Sequence, residues 1–418
     1  MIHWLFASFI DALFSPFTLR LLKAGWASAP VWVPLALLLI WWDVWMAYKQ
    51  RQWISEQGST LVEIKLPREI LKSPEAMELF LNNLYQSSAG SLIDVYMKGR
   101  VRPWFSLELV SISGTVHFYI WMHKKFKELV ESQLYAQFPN IEVQEISDYA
   151  TAVHHDTDKF NFGWIGQMAL TKADVYPIKT YMDYKLHENP DEEFKNDPIS
   201  AVLEFLGSLR KGEQAWIQIM IRAHAKEGLK LGRIFIKPNW TDAAKKEIEK
   251  IRKEASPSAD ASDTLSKFSI LSKGQQDIVS AIERSVAKYA FDTMIRAAYF
   301  AENDVFNANN IGGLLGSFRQ FSSNTLNGFK PGFKAGYDYP WQDFRGSRRA
   351  SNERKLLEAY KRRSFFEHPF RNFHGKSFIL TTEELATLFH FPSAEVAATP
   401  TLSRIPSKKA EPPANLPV

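Results

Sequence analysis

The chain contains no cysteine. A disulfide scaffold, a thiolate metal site and a cysteine nucleophile are therefore excluded. A strong charge bias is missing too: 51 Lys and Arg against 46 Asp and Glu leave +5 over 418 residues. That mild excess is compatible with an anionic membrane face or a nucleic acid and requires neither. Long apolar runs are absent with one exception. From Ala27 to Trp42 nothing is charged, and the apolar character resumes after Asp43 through Tyr48.

The exception, PVWVPLALLLIWWDVWMAY over Pro30–Tyr48, matches the ~20 residues that carry a helix across a hydrocarbon core of about 30 Å. Trp32 lies near one end and Trp41, Trp42, Trp45 and Tyr48 near the other, where indole and phenol rings favour the headgroup layer. These five are the candidate anchor residues of a transmembrane helix over 27–48. Over 1–26, Trp4, Leu5, Phe9, Ala12, Leu13 and Phe17 fall at helical spacing, which predicts an interfacial amphipathic helix that Pro16 kinks or breaks. Ala27-Ser28-Ala29 mimics a signal-peptidase site. However, the preceding n-region lacks positive charge and Asp11 interrupts its apolar core, so a retained anchor is expected. Lys49, Arg51, Lys65 and Arg68 slightly outweigh Arg20 and Lys23, which places the soluble part in the cytoplasm, below the inner membrane.

After the anchor the period changes. Leu61–Leu66 alternates as a strand, and Ser73-Pro74-Glu75 is a helix start followed by Met77, Phe80, Leu81 and Leu84. Two strands, Phe105–Ile112 and Thr115–Trp121, turn at Ser113-Gly114. A helix over Phe126–Phe138 and an alternating stretch, Ile141–Ile146, complete the order β-α-β-β-α-β. We expect a ferredoxin-like unit over 57–150. A second is expected over 151–335, from strands at Tyr176–Tyr184, Trp216–Ile221 and Met294–Phe300 and helices after Asp197-Pro198, over Ile278–Tyr289 and over Ala308–Phe321. An insertion at about 237–273 pairs a solvated mixed-charge helix with a low-complexity linker. The predicted class is α+β: an N-terminal membrane helix, two ferredoxin-like units, the second with the charged insertion, and an extended C-terminal tail.

Residues 336–391 read as a basic aromatic connector. Arg345, Arg348, Arg349, Arg354, Lys355, Lys361, Arg362, Arg363 and Arg371 crowd together, with Phe365, Phe366, Phe370 and Phe373 interleaved. Such a stretch can hold single-stranded nucleic acid by phosphate contacts and stacking. It can equally be a helix over Ser351–Tyr360 whose cations face water or lipid headgroups. Phe378-Ile379-Leu380 reads as a short strand and Thr382–Phe389 as a short helix capped by Thr381 or Thr382, while residues 392–418 are proline-rich and read as a linker.

Signals of chemistry are weak. Gly375-Lys376-Ser377 copies the end of a phosphate-binding loop, but position 370 is Phe and a short strand follows where a long helix is required. Gly312, Gly313 and Gly316 lack dinucleotide-binding spacing and indicate close helix packing. His154-His155-Asp156 sits in loop context. No nucleophile–base or paired-carboxylate spacing stands out, so no catalytic residue, metal or cofactor is expected.

The most specific text is FILTTEELATLFHFPSAEVAATPTLSRIPSKKAEPPANLP, Phe378 to Pro417. It resembles the connector just upstream of the motor in traffic ATPases of the type IV secretion and conjugation class, in HerA/FtsK-superfamily forms of candidate-phylum bacteria. LPREILKSPEAMELFLNNL, Leu66 to Leu84, resembles the start of their N-terminal region, and YKRRSFF lies at the matching place. The resemblance covers about 57–418 and carries no Walker segment. It implies a non-catalytic membrane subunit that docks a separate P-loop ring ATPase moving DNA or protein, and a homo-oligomer at the lipid membrane. The alternative is a stand-alone membrane-associated nucleic-acid-binding protein acting through 345–373.

Overall fold

A computed structural model describes residues 16–67, 72–186, 197–226, 239–255, 271–392 and 402–404. Helix α1 spans Pro16–Ala27 and α2 spans Ala29–Gln57, with Ser28 alone between them. Pro16 opens α1, where the N–H that proline lacks has no helical partner. The rest of the expected interfacial helix, residues 1–15, lies outside the described residues. α2 continues through Pro34, and one residue, Gly58, separates it from strand β1.

The first half then follows as β1 (Ser59–Lys65), α3 (Pro74–Asn83), a short α4 (Leu92–Tyr96), β2 (Trp104–Ile112), β3 (Thr115–His123), α5 (Lys127–Gln137) and β4 (Glu142–Ile146). The second half comprises β5 (Phe160–Leu170), α6 (Ser200–Gly207), β6 (Glu213–Ala223), α7 (Trp240–Ala255), α8 (Lys273–Val286), β7 (Ala290–Glu302), α9 (Asn309–Ser317) and β8 (Phe329–Lys334). After them come α10 (Ser347–Lys361), β9 (Phe378–Thr381) and α11 (Thr382–Leu388). The result is a mixed α+β fold in which the described residues form one nine-stranded antiparallel sheet of order β4-β1-β3-β2-β6-β7-β5-β8, with β9 on β7. In each half the order is fourth, first, third, second strand. The halves meet second strand to second strand, so the order reads the same from either edge about a seam between β2 and β6.

Three expectations are corrected. Tyr176–Tyr184 is not a strand: Pro177 and a turn in which Thr180 N–H donates to Asp183 (2.8 Å) break it, while Ile178 and Tyr181 N–H donate to Glu384 and Thr387 on α11. The strand is Phe160–Leu170, where a register shift at Gly163 interrupts the alternation. The helix of the insertion is not simply solvated, since Trp240, Ala244, Ile248 and Ile251 pack on Val279 and Ile282 of α8. The linker half of that insertion, 256–270, lies outside the described residues. The short strand expected at Phe378–Leu380 and the short helix expected at Thr382–Phe389 are present, as β9 and α11. β9 takes up the edge of β7 that β5 leaves at Gln167, and α11 packs on α3 with every residue buried. Leu402–Arg404, within the expected tail, bridges to Val116 and Leu66 at the ends of β3 and β1, and Leu402 is buried. Residues 393–401 and 405–418 lie outside the described residues.

Both sheet faces are covered. Val62, Ile64, Phe105, Leu107, Ile217, Ile219 and Ile295 point to the side of α3, α5, α6, α9 and α11. Their neighbours along each strand point to the side of α10. Gly313 of α9 lies so close to Phe205 that a Cβ there would sit 2.6 Å from the ring, so close packing explains this glycine.

The α10 side carries a polar row across six strands. Glu63, Tyr119, Glu108, Gln218, Arg296 and Gln167 are successive cross-strand partners, with Glu108 and Gln218 at the seam. The end of α10 lands on this row. Arg296 donates to the carbonyls of Ala359 (2.9 Å) and Ser364 (2.8 Å), and Gln218 donates to that of Tyr360 (3.1 Å). A guanidinium at the negative end of the helix dipole is favourable. Arg363 then turns inward with φ of 45°. Its N–H bonds to Tyr360 O and that of Ser364 to Ala359 O, the pairing of a Schellman cap whose left-handed position usually holds glycine. The strain of about 1–2 kcal/mol is offset by what the side chain reaches. Nε and one Nη lie 2.9 Å from the two Glu108 oxygens, and Asp148 holds the guanidinium's other side. Burial alone would raise the Glu108 carboxyl; the Arg363 guanidinium outweighs it and holds Glu108 below its ordinary value. Arg363→Ala strands a buried carboxylate. We expect a loss of about 3–5 kcal/mol, read as a lower unfolding midpoint of the full chain in detergent, whereas pairing it with Glu108→Gln should recover part of that loss.

Candidate functional site

The nine cations of the basic stretch do not form one patch. Arg363 is buried in the core, so its expected contact with nucleic acid or headgroups is corrected. Phe365 and Phe366 are buried as well, the latter under the Arg222 guanidinium. Arg345, Arg348 and Arg349 lie at the start of α10, Arg354 and Lys355 along its exposed side, Lys361 at its last position, and Arg362 and Arg371 beyond it. Arg349 reaches the Phe162 carbonyl (2.8 Å) and Glu353 (2.7 Å), while Arg362 pairs with Glu358 (2.6 Å). Arg345, Arg354 and Lys355 form no ion pair among the described residues.

The start of α10 carries aromatic partners absent from the sequence expectation. Tyr339 and Trp341 stack at 4.5 Å and 12°, Trp341 is 63% exposed and Phe344 85% exposed, beside Arg345 and Arg348. The turn is set by Asp343, whose carboxylate accepts the N–H groups of Arg348 (3.3 Å) and Arg349 (2.7 Å). The turn-like aromatic character of 332–343 was the signal for it. This basic aromatic edge sits over Phe162, which pairs with Phe300 of β7.

α2 meets the opposite end. Ser59 pairs with His123, and across the seam Trp104 pairs with Arg222 and Arg222 with Asp292. From Asp292 to Phe300 is about 26 Å at ~3.3 Å per residue. Here a cleft of about 460 Å³ opens between Arg51, Ile54 and Ser55 of α2, Trp104, Trp121 and the 362–369 turn. His123 forms its floor, edge-on to Trp53, Trp104 and Trp121 at 6.2, 4.5 and 5.3 Å. Glu367, on its rim, is held by Arg222 (3.1 Å), and Arg222 also binds Asp292 (3.0 Å). Burial depresses His368 beside the cleft, with Arg371 and Arg51 adding to the effect. The cleft has aromatic walls and cations at its mouth, and among the described residues no three His, Cys, Asp or Glu side chains converge as a metal site. His155 is taken up by Glu353 (2.9 Å), and Gly375-Lys376-Ser377 leads straight into β9.

Of the candidate anchor residues, Trp32, Trp41 and Tyr48 are exposed, and Trp42 and Trp45 are half-buried. α2 has the length and composition to cross a membrane, as a membrane anchor or a signal sequence would. Its residues Val31, Leu35, Leu37, Leu38, Leu39, Ile40 and Val44 face outward and none contributes to a core. From Met46 onward it joins the domain, burying Met46, Gln50 and Trp53.

Burial pushes the His123 imidazole down to about 4. Between the unfolded value of about 6.5 and that value, the unfolded chain takes up a proton that the folded one refuses. Stability therefore falls as pH drops through this window, by up to about 3 kcal/mol from this group. His123→Phe should flatten the loss between pH 6.5 and 4 relative to the native chain, measured by denaturation at each pH. An unchanged slope would assign the acid sensitivity to other groups.

No curated protein matches the chain. A family model does, over residues 47–404, from the end of the aromatic belt to the segment that bridges β1 and β3. The chain belongs to the family of the domain of unknown function DUF8128.

Proposed function

We propose that the protein is a non-catalytic, membrane-anchored docking subunit of a translocation machine. α2 is the anchor in the inner membrane, and the sheet domain lies on the cytoplasmic side as two ferredoxin-like units joined at the β2–β6 seam. The observation that carries the reading is polarity: the apolar helix leaves one end of the strands, and the basic aromatic edge of Tyr339, Trp341, Phe344, Arg345 and Arg348 occupies the other. An edge held away from the bilayer, with large exposed rings and cations, suits a macromolecular partner. In this reading the partner is a P-loop ring ATPase of the type IV secretion and conjugation class, supplied by another chain, and copies of this protein surround it. Because Phe378–Phe391 is core, the docking surface is the start of α10 and not that segment.

The test is a pull-down of the full chain from native membranes in mild detergent, beside a variant carrying Trp341→Ala, Phe344→Ala, Arg345→Ala and Arg348→Ala. A stoichiometric P-loop ATPase is expected with the first and lost from the second. Its absence from both would remove the docking role.

The stacked Tyr339 and Trp341 beside the Arg345 and Arg348 guanidinium groups favour a second reading, a membrane-associated nucleic-acid binder. It predicts single-strand binding whose log affinity falls with log salt, the slope easing by about 0.7 for each phosphate-contacting arginine removed. Salt-independent binding would exclude it.

A further inference from the structure

Between α3 and β2 the chain makes an excursion that neither half of the sheet requires. Ala89 to Arg100, AGSLIDVYMKGR, carries α4 and leaves Leu92 53%, Ile93 67% and Met97 63% exposed. On most surfaces three adjacent exposed aliphatic side chains mark a contact. Their neighbour here is α2. Gly99 touches the α2 backbone so closely that a Cβ would lie 2.3 Å from the Lys49 carbonyl. Further on, Val95 and Ala89 pack with Met46, and the Tyr96 ring meets Trp42 at 5.5 Å.

These contacts step from Lys49 through Met46 to Trp42, down the helix toward its apolar middle. Seven residues at ~1.5 Å place Tyr96 about 10 Å deeper than the contact at Lys49. Membrane-surface helices bury their apolar face about 5–10 Å into the headgroup and acyl boundary. The charges agree with that depth. Asp94, the one acid in the excursion, is tied to Ser91 (2.8 Å) and Lys98 (2.8 Å), while Arg100 leaves a net positive segment for anionic headgroups.

We infer that 89–100 is a second membrane element, a wedge that inserts Leu92, Ile93 and Met97 into the leaflet beside the anchor. It is continuous with the belt of Trp41, Trp42, Trp45 and Tyr48, and its partner is lipid. The inference rests on the reading of α2 as an anchor. Two contacts, one through the bilayer and one beside it, fix the domain's orientation about the membrane normal.

The absence of cysteine permits single labels in the full chain. Leu38→Cys, Ile93→Cys and Asp304→Cys, each carrying an environment-sensitive fluorophore, would be reconstituted into phosphatidylcholine and phosphatidylglycerol vesicles. Lipids doxylated near the headgroup would serve as quencher for the labels at 93 and 304, and lipids doxylated deep in the acyl chain as quencher for the label at 38. The label at 38 reports the anchor and the label at 304, beyond β7, the distant control. We expect the Ile93 label to lose about half its emission, as the shallow quencher reaches it, with no loss at 304. A quenched 38 with 93 behaving like 304 would overturn the wedge and leave the anchor standing. An unquenched 38 would overturn both. A blue-shifted 93 that lipid quencher leaves bright would mean a protein contact in place of lipid and would also overturn the inference.

Discussion

A carboxylate with no access to water governs this fold. Glu108 lies at the seam of the two halves, opposite Gln218, and accepts from Ser106, Gln218, Tyr149 and Arg363. Neither half can hold it alone. Ser106 and Tyr149 come from the first, Gln218 from the second, and the neutralising charge from beyond α10. A buried ion of one sign demands its complement, so the order in which the pieces settle is constrained. The α10 cap has to close with Arg363 in a left-handed conformation before the seam is electrically complete. This explains why an arginine occupies a site where glycine would be easier. Around the same point, Arg296 binds the last carbonyls of α10, so one helix end is fastened by groups from both halves.

Much of the first half was legible because its strands alternate and its turns carry the expected residues. Leu61–Leu66, the Ser113-Gly114 hairpin and the Ser73-Pro74-Glu75 start appear where the periodicity places them. The second half was harder for physical reasons. β5 contains Gly163 and Gly166, whose bulges break the period, and it is buried on both faces, so alternation fades. The basic stretch misled because adjacency in sequence carries no direction. Arg362 faces water and Arg363 the core, and only the backbone turn between them decides which. The exposed aromatic partners, Trp341 and Phe344, lie just ahead of the arginines, not among them.

The sheet also limits how copies could associate. Among the described residues its outer strands are β4 and β8, and β8 carries Pro331 between Lys330 and Lys334. A proline withholds a donor and lysines resist apposition, two devices that discourage edge pairing. A ring of this protein would have to form through helices or loops, leaving strand edges unused.

The joint between α2 and β1 has a mechanical consequence. A lone Gly58 links a continuous helix to the sheet, and Gly99 presses on that helix at Lys49, so there is no swivel. A spanning helix adjusts its tilt to the thickness of its bilayer. If α2 is such a helix, the stiff joint makes the sheet lean by the same angle. Over a lever of about 26 Å, a lean of ~10° carries the far edge sideways by roughly 5 Å. That is a side chain's width, so lipid thickness would become a coordinate of what the aromatic edge can touch.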